Sequence, residues 1–419
     1  MTNKYENISS LTPGCKLLRF EYIGYFYIQT MICFVGFWMN LLCLVVFQKR
    51  QFQRMVYYLM TALAFFDLLT LLIAMPEGLI RCSDFFHHCQ AVGFRNLRFW
   101  IYKFTIYIGF PANNITEMMS MLIVLMLTWE RYHFMNGSLK YNLQPAIYIY
   151  PILAVLFAMC IFMNLPFFFV QHSVEINDHF SNMTEYSNFT KFRPKFKMKT
   201  VFTNFGKSNF YRNFLWCRTV VIPIVILLLM TFLSSLLIRV THLSFKSHAR
   251  LIEFRAVESR SLFNKRQITA KLTCRRQEIE MQLTTLLILL ILIFIIGQFP
   301  QAFSFKQLYT KITARFHLSV KIECHYDYKV YKMVTYLLSL CTHGFQFFIY
   351  FTFDRSFRKS FLKLFRCNKF NNSDCNVGTV ESQETFHPST IRMQTRSHSQ
   401  NEVLVPFCLT EFGDEVHSF

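Results

Sequence analysis

The sequence has few charged residues: they make up only 16% of its 419 residues. A soluble globular protein normally carries about a quarter. Hydrophobic residues account for 53% of the chain. A chain of this composition is expected to lie largely in lipid, where long apolar stretches are stable and charges are costly.

The sequence also lacks the motifs of common enzyme and metal sites. Its 13 cysteines form no CxxC pair and have no histidine companions at metal-ligand spacing, so we predict no metal site. Neither HExxH nor GxSxG occurs, and no apolar stretch carries two carboxylates on one helical face. We therefore expect neither an enzyme nor a cofactor, and we assign no catalytic residue.

Seven apolar stretches are each long enough to cross a bilayer, for which about 20 residues suffice. We predict an all-α membrane protein with a bundle of seven transmembrane helices, because a helix satisfies its own backbone hydrogen bonds in lipid. The stretches are residues 22–47, 56–80, 104–133, 146–170, 214–242, 281–305 and 329–352. The seventh is the least apolar, since THGFQ lies in its middle.

The formal net charge of +20 is spread over the gaps between the apolar stretches. This distribution favours anionic lipid and an acidic cytoplasmic partner over nucleic acid. Basic residues in short loops mark the cytoplasmic side, and they follow the first stretch, at residues 48–54, and the seventh. The segment 243–280 is basic too and is expected inside as a loop.

This orientation places the amino-terminal residues 1–21 outside a cell, with the seven-helix domain at 22–352 in the plasma membrane. The first 20 residues show no cleavable signal peptide, so the first helix is expected to act as its own insertion signal. The basic segment 191–199 opposes the orientation, because it is predicted outside; the charge rule weakens far from a helix end.

Three N-x-S/T triplets lie in segments predicted outside. Their asparagines, Asn7, Asn182 and Asn188, are candidate N-glycosylation sites.

Beyond the seventh stretch, residues 353–367 are basic and amphipathic, so a short helix is expected along the inner leaflet. Cys367 at its end is a candidate for palmitoylation. Residues 368–419 are polar and rich in serine and threonine. They predict a disordered cytoplasmic tail open to kinases and arrestin.

Few ionisable residues interrupt the seven stretches, and such residues are functional candidates by default. The candidates are Asp67, Glu117, the adjacent Glu130 and Arg131, and His343. For Glu130 and Arg131 the alternative is that they only mark a helix end, where long side chains reach water.

Six motifs in order resemble those of the rhodopsin-like (class A) family of G-protein-coupled receptors, over residues 22–367. They are GFWMN with Asn40, LAFFDLL with Asp67, ERY at 130–132, VVIPIVILLL with Pro223, FIIGQFP with Pro300, and QFFIYFTFDRSFRKSF with Tyr350. The resemblance implies a seven-helix receptor that binds an extracellular ligand and activates a heterotrimeric G protein.

The resemblance also implies an activation switch formed by Glu130, Arg131, Tyr132, Glu280 and Tyr350. In the resting state Arg131 would be held by Glu130 and by Glu280. In the active state Arg131 would be free to meet the carboxyl end of a Gα subunit.

A polar network within the membrane is a further implication, with Asn40, Asp67, Ser120, His343 and Gln346 as members. Asp67 and Ser120 match positions that hold sodium in many relatives. His343 and Gln346 replace the usual residues, so we doubt sodium binding. We predict instead an Asp67–His343 hydrogen bond that makes activation sensitive to pH; the alternative is a neutral histidine packed in the bundle.

Other departures narrow the resemblance to invertebrate FMRFamide-type neuropeptide receptors. Gln298 stands in place of the sixth-helix tryptophan, and Ile106 stands in place of the third-helix cysteine that usually forms a disulfide. Sequence alone does not pair the remaining cysteines.

The candidate ligand residues are Asn113, Glu117 and Gln298. Asn113 lies where aminergic relatives carry an aspartate, which argues against a biogenic amine. Glu117 follows one turn later and would pair with an arginine of an RF-amide peptide. The alternative is a structural carboxyl group, and the basic segment 191–199 counts against a cationic peptide.

Two other functions remain open. One is a chemosensory serpentine receptor for small molecules. The other is a membrane transporter, which the lack of an internal repeat and of paired interrupted helices disfavours.

Overall fold

The computed structural model describes residues 19–49, 55–80, 92–136, 149–177, 196–258, 264–305, 308 and 326–366. Asn7, Asn182, Asn188, Cys367 and the tail at 368–419 lie outside these residues, so the expectations about them stay predictions.

The described residues are almost entirely helical. The helices are Arg19–Tyr22, Ile23–Gln29, Thr30–Phe47, Met55–Ile80, Val92–Phe104, Thr105–Gly109, Phe110–Met135, Ile149–Asn164, Leu165–Phe169, Asn209–Trp216, Cys217–Val221, Ile222–Glu258, Asn264–Phe303, Tyr326–Gly344, Gln346–Phe353 and Arg355–Arg366. Consecutive helices join into longer rods wherever one begins directly after another.

Six of these rods are long and apolar enough to cross a membrane, and a pair bent by 42° makes a seventh. We number them spans 1 to 7: Phe20–Phe47, Met55–Leu79, Phe99–Met135, Ile149–Phe169, Asn209–Leu243, Met281–Phe303, and Tyr326–Gly344 with Gln346–Phe353. The predicted seven-helix membrane bundle is therefore confirmed. The bend in span 7 falls at THGFQ, where the sequence is least apolar.

The helices of spans 5 and 6 are longer than their apolar stretches. Residues 243–280 were expected to form a loop, but one helix continues to Glu258 and the other begins at Asn264. The polar part of this segment is rich in lysine, arginine, glutamate and glutamine, which are good helix formers. Apolar residues mark the part of a helix that lies in lipid, and residues of high helix propensity extend the helix beyond that part.

A two-stranded antiparallel hairpin is the one addition to the all-helical prediction within the described residues. It pairs Gln171–Asn177 with Phe196–Phe202, in a segment that was expected to be loop. After the hairpin, the Thr203 hydroxyl donates to the carbonyl of Phe169 at 2.7 Å. This bond fixes the return of the chain toward span 5.

Three spans contain a π-helical segment that the sequence did not predict: Ile23–Gln29 in span 1, Thr105–Gly109 in span 3 and Cys217–Val221 in span 5. Such widened turns insert one residue into the helical ladder and frequently occur at functional sites. Here each one shifts the face that the following part of its span presents to its neighbours.

The described residues of Met1–Ile238 and Leu287–Ile349 form one compact unit. Within it, span 2 packs against spans 1 and 3, and span 7 packs against spans 1 and 2. An apolar cluster of Cys33, Leu71, Ala74 and Leu340 joins spans 1, 2 and 7. Span 2 is therefore central in this unit.

The amphipathic stretch predicted at 353–367 is the helix Arg355–Arg366. Asp354 begins it, because its Oδ1 accepts hydrogen bonds from the backbone N–H groups of Ser356 and Phe357, at 2.8 Å and 3.1 Å. The Phe357 side chain is fully buried, and its ring lies 5.8 Å from that of Tyr350.

Span 1 lies close to the backbone of span 7 at Gly36. A Cβ atom there would lie 2.7 Å from Leu71 Cδ1 and 3.1 Å from the Cα of Gly344. We expect Gly36→Ala to lower the free energy of unfolding by about 1–3 kcal/mol, because the spans must separate to admit the methyl group. Thermal unfolding of the purified protein measures the effect.

Gly109→Ala is the matched control, since its Cβ would meet only Phe104, at 3.5 Å or more. That variant is expected to be neutral or slightly more stable, because alanine favours a helix over glycine by roughly 0.5–1 kcal/mol. Equal stability of the two variants would contradict the close packing of span 1 against span 7.

Candidate functional site

Six buried side chains from spans 1, 2, 6 and 7 form what we name the central polar cluster: Asn40, Asp67, Gln298, Ser339, His343 and Gln346. Asp67 lies at its centre with no exposed surface. The predicted hydrogen bond to His343 is present, with 2.7 Å between His343 Nδ1 and Asp67 Oδ1. The Gln346 amide donates to the other carboxylate oxygen. Both oxygens of Asp67 are thus engaged by span 7.

Asn40 connects span 1 to the same place. Its amide nitrogen donates to the His343 carbonyl at 2.8 Å and to the Gly36 carbonyl at 3.0 Å. The His343 carbonyl lies just before the bend of span 7, where the helical ladder is interrupted. Asn40 therefore supplies a hydrogen-bond donor to a backbone carbonyl near this break.

Gln298 joins the cluster from span 6, a contact that the sequence did not reveal. Its side-chain nitrogen donates to Ser339 Oγ at 2.8 Å and lies 3.3 Å from His343 Nε2. The residue is only 5% exposed. Its position links span 6 to the polar residues of span 7, and the ligand-pocket role suggested by the sequence stays a prediction.

These contacts fix the tautomer of His343. A carboxylate oxygen only accepts hydrogen bonds, so Nδ1 must carry a hydrogen for Asp67. An amide nitrogen only donates, so Nε2 of a neutral imidazole accepts from Gln298. Asp67, His343 and Gln298 thus form a continuous chain from span 2 to span 6.

Ser120 does not join the cluster, although it was grouped with Asp67 from the sequence. Its hydroxyl donates to the Thr116 carbonyl of its own helix at 3.2 Å. Spans 2 and 3 are instead connected by a hydrogen bond of 2.9 Å between the hydroxyls of Thr70 and Thr116. His343 and Gln346 occupy the two Asp67 oxygens in this arrangement.

Glu130 and Arg131 form a buried ion pair at the carboxyl end of span 3. The distance from Arg131 Nε to Glu130 Oε2 is 3.0 Å. The guanidinium also lies 5.2 Å from the centre of the Phe134 ring. Both side chains are buried, so they do not simply reach water at a helix end.

The other members of the predicted switch are placed as follows. Tyr132 is half-buried next to the ion pair in sequence, and Tyr350 is buried against Phe357. Glu280 lies in the helix Asn264–Phe303, but its side chain is outside the described part of the structure. Its pairing with Arg131 stays a prediction.

The ligand candidates of span 3, Asn113 and Glu117, are half-buried. The Asn113 side-chain oxygen accepts no hydrogen bond from a described residue. Glu117 likewise forms none within the described residues, and its charge acts on Arg218, Tyr336 and His343. Both groups thus offer acceptor oxygens at the interior of the bundle.

Two further charged residues were missed in the sequence. Glu77 in span 2 accepts a hydrogen bond of 3.2 Å from the Tyr336 hydroxyl. Arg218 in span 5 is 4% exposed. Both fall inside predicted apolar stretches, and an ionisable residue in such a stretch was the available signal.

Arg218 ties three spans together. Its Nε donates to Asn164 Oδ1 in span 4 at 3.0 Å, and one terminal nitrogen donates to the Asn114 carbonyl in span 3 at 3.0 Å. Asn164 is oriented by its own amide, which donates to the Cys160 carbonyl at 2.7 Å. A buried guanidinium is tolerated here because these oxygens replace water and Glu117 supplies an opposite charge nearby.

We expect Asn164→Ala to lower the free energy of unfolding by about 1.5–3 kcal/mol, because a buried charged donor then loses its partner. Asn114→Ala is the matched control, since Arg218 binds the backbone carbonyl of Asn114 and not its side chain. Thermal unfolding of both variants tests this role. A control variant as unstable as Asn164→Ala would argue against it.

No family model and no curated protein matches the sequence. Solved structures do match, among them the crystal structure of squid rhodopsin. The TM-score is 0.56 at 14% sequence identity, and the match covers 85% of this chain and 89% of that chain. The chain is therefore a multi-pass membrane protein with the fold of squid rhodopsin.

Proposed function

We propose that this protein is a G-protein-coupled receptor in the plasma membrane, with its amino terminus outside the cell. The observation that carries the proposal is the buried Glu130–Arg131 ion pair within a rhodopsin-like bundle. A basic residue at the cytoplasmic end of span 3 has a clear role in such a bundle, because it is held in one state and released in another.

The physical basis of the switch is the strength of an ion pair away from water. Two charges at such a distance attract strongly in a low-dielectric site, yet the contact is all-or-none. A ligand shifts the balance only as far as it prefers the state in which Arg131 is released. Free Arg131 would then meet the carboxyl end of a Gα subunit.

The ligand is proposed to be an extracellular peptide with a basic residue, of the FMRFamide-like type. In the proposed orientation, Glu77 and Glu117 lie in the outer half of the bundle. The Glu77 carboxylate accepts a hydrogen bond from the Tyr336 hydroxyl, and the charge of Glu117 also acts on Tyr336. Arg218 already has two oxygen partners. A cationic ligand group would therefore find two acidic side chains and the Asn113 oxygen, which accepts no hydrogen bond from the described residues.

A neuropeptide library tests the receptor function in cells that express this chain with a promiscuous Gα subunit, read by calcium. We expect at least one peptide to raise calcium, and Arg131→Ala to abolish that rise at equal surface expression. A response only to small volatile compounds would favour the chemosensory alternative. A response that persists in Arg131→Ala would contradict the proposed switch.

For the ligand contact, Glu117→Gln removes the charge and keeps the size. We expect the half-maximal peptide concentration to rise roughly 10- to 100-fold, because a charge-assisted hydrogen bond contributes about 1.5–3 kcal/mol. Glu21→Gln is the control, since that carboxylate pairs with Lys329 at 3.1 Å.

If Glu117 serves only to balance Arg218, the outcome differs. Glu117→Gln would then lower the unfolding temperature and leave peptide potency unchanged across the panel. That result would remove Glu117 from the ligand site.

A further inference from the structure

The central polar cluster has more hydrogen-bond acceptors than donors. The side-chain oxygens of Asn40 and Gln346 are buried and accept no hydrogen bond from the described residues. Their amide nitrogens are already used, on backbone carbonyls and on Asp67. An added proton would therefore enter an environment that is poor in donors.

The cluster also carries an uncompensated negative charge when His343 is neutral. The groups that face His343 are the Asp67 carboxylate from span 2, the Glu117 charge from span 3, and the neutral Gln298 amide from span 6. Span 1 contributes only the neutral Asn40. The cluster contains no lysine or arginine. One proton on His343 would convert a buried anion into a neutral ion pair, which lowers the cost of burial.

We propose that the cluster is a proton-binding site, and that Gln298 transmits proton binding to span 6 by turning its amide over. With neutral His343, the amide nitrogen of Gln298 donates to both Ser339 and the imidazole. The imidazolium carries an N–H at Nε2 as well as at Nδ1. The Nε2–H then faces an N–H of Gln298, and two donors repel.

A half-turn of the amide resolves this conflict. The Gln298 oxygen replaces the nitrogen and accepts from His343 Nε2–H with one lone pair and from the Ser339 hydroxyl with the other. The proton comes from the solvent, and no other covalent bond changes. The new hydrogen bond is charge-assisted and therefore stronger than the one it replaces. Acid thus tightens the connection between spans 6 and 7.

The consequence for signalling rests on the proposed receptor function. Activation that requires span 6 to move away from span 7 would be opposed by the tighter contact. The proton would act as a negative regulator, and acidification would raise the peptide concentration needed for a response.

The first test needs no ligand. The wild-type protein and Gln298→Met are purified in neutral-lipid nanodiscs, and their unfolding temperatures are compared from about pH 8 to about pH 5, where histidine titrates. Methionine keeps the length of the side chain and removes both the donor and the acceptor. We expect the advantage of wild type to grow by roughly 2–4 °C on acidification.

Two further variants complete the design. Ser339→Ala removes the other hydrogen-bond partner of the Gln298 amide. The difference in unfolding temperature between this variant and wild type is therefore expected to be independent of pH. His343→Asn is expected to lose the acid-dependent stabilisation, as Gln298→Met does. The proposal is overturned if the unfolding temperatures of wild type and Gln298→Met differ by the same amount at every pH, whatever His343→Asn does.

Replacing potassium chloride by sodium chloride in the buffer should leave these differences unchanged. A stabilisation specific to sodium would instead assign the acceptor oxygens of the cluster to a cation.

The second test reads signalling with any peptide found active. We expect acidification to raise the half-maximal concentration about fivefold or more in wild type, and much less in Gln298→Met. A library without an active peptide would contradict the proposed peptide ligand and leave the result of the unfolding experiment in force. An acid shift of equal size in both proteins would overturn the role of Gln298.

Discussion

The interior of this protein is shaped by the cost of placing a charge away from water. An ionised side chain in an apolar medium loses far more hydration energy than most single contacts return, so it requires a counter-charge or several hydrogen bonds. The structure meets this requirement in different ways. Asp67 has His343 and Gln346, and Arg131 has Glu130. Arg218 has two neutral oxygens and the charge of Glu117 nearby. Each solution also connects parts of the chain that are distant in sequence or holds a group ready to change partners.

The central polar cluster shows how one charge organises several helices. Asp67 draws span 7 to span 2 through two side chains, and the bend of span 7 brings both of them to the same carboxylate. Asn40 then supports the backbone next to the bend, and Gln298 extends the chain of hydrogen bonds to span 6. Spans 1, 2, 6 and 7 thus share a set of buried polar contacts, and separating these spans would leave the polar groups without partners in an apolar medium.

Arg218 gives spans 3, 4 and 5 a comparable connection. It sits directly in the π-helical segment Cys217–Val221, which turns the face of span 5 at this level. Ile106 stands where the resemblance to class A receptors would place the third-helix cysteine, so no disulfide links span 3 from that position. The Arg218 contacts offer a different link between span 3 and the rest of the bundle, made by hydrogen bonds in place of a covalent bond.

The sequence by itself determined the number and order of the membrane helices, because long apolar runs report the preference of each segment for lipid. The same local information identified Asp67, Glu130, Arg131 and His343, since a charge stands out in an apolar run. It failed at the ends of spans 5 and 6, where helix propensity continues beyond the apolar part, and at the hairpin. Only the tertiary structure decided the partners: Gln298 with His343, Asn164 with Arg218 and Tyr336 with Glu77. The reason is that such pairs depend on the rotation of each helix about its own axis. That rotation is set by packing between spans and by three π-helical segments, neither of which leaves a periodic signal in the chain.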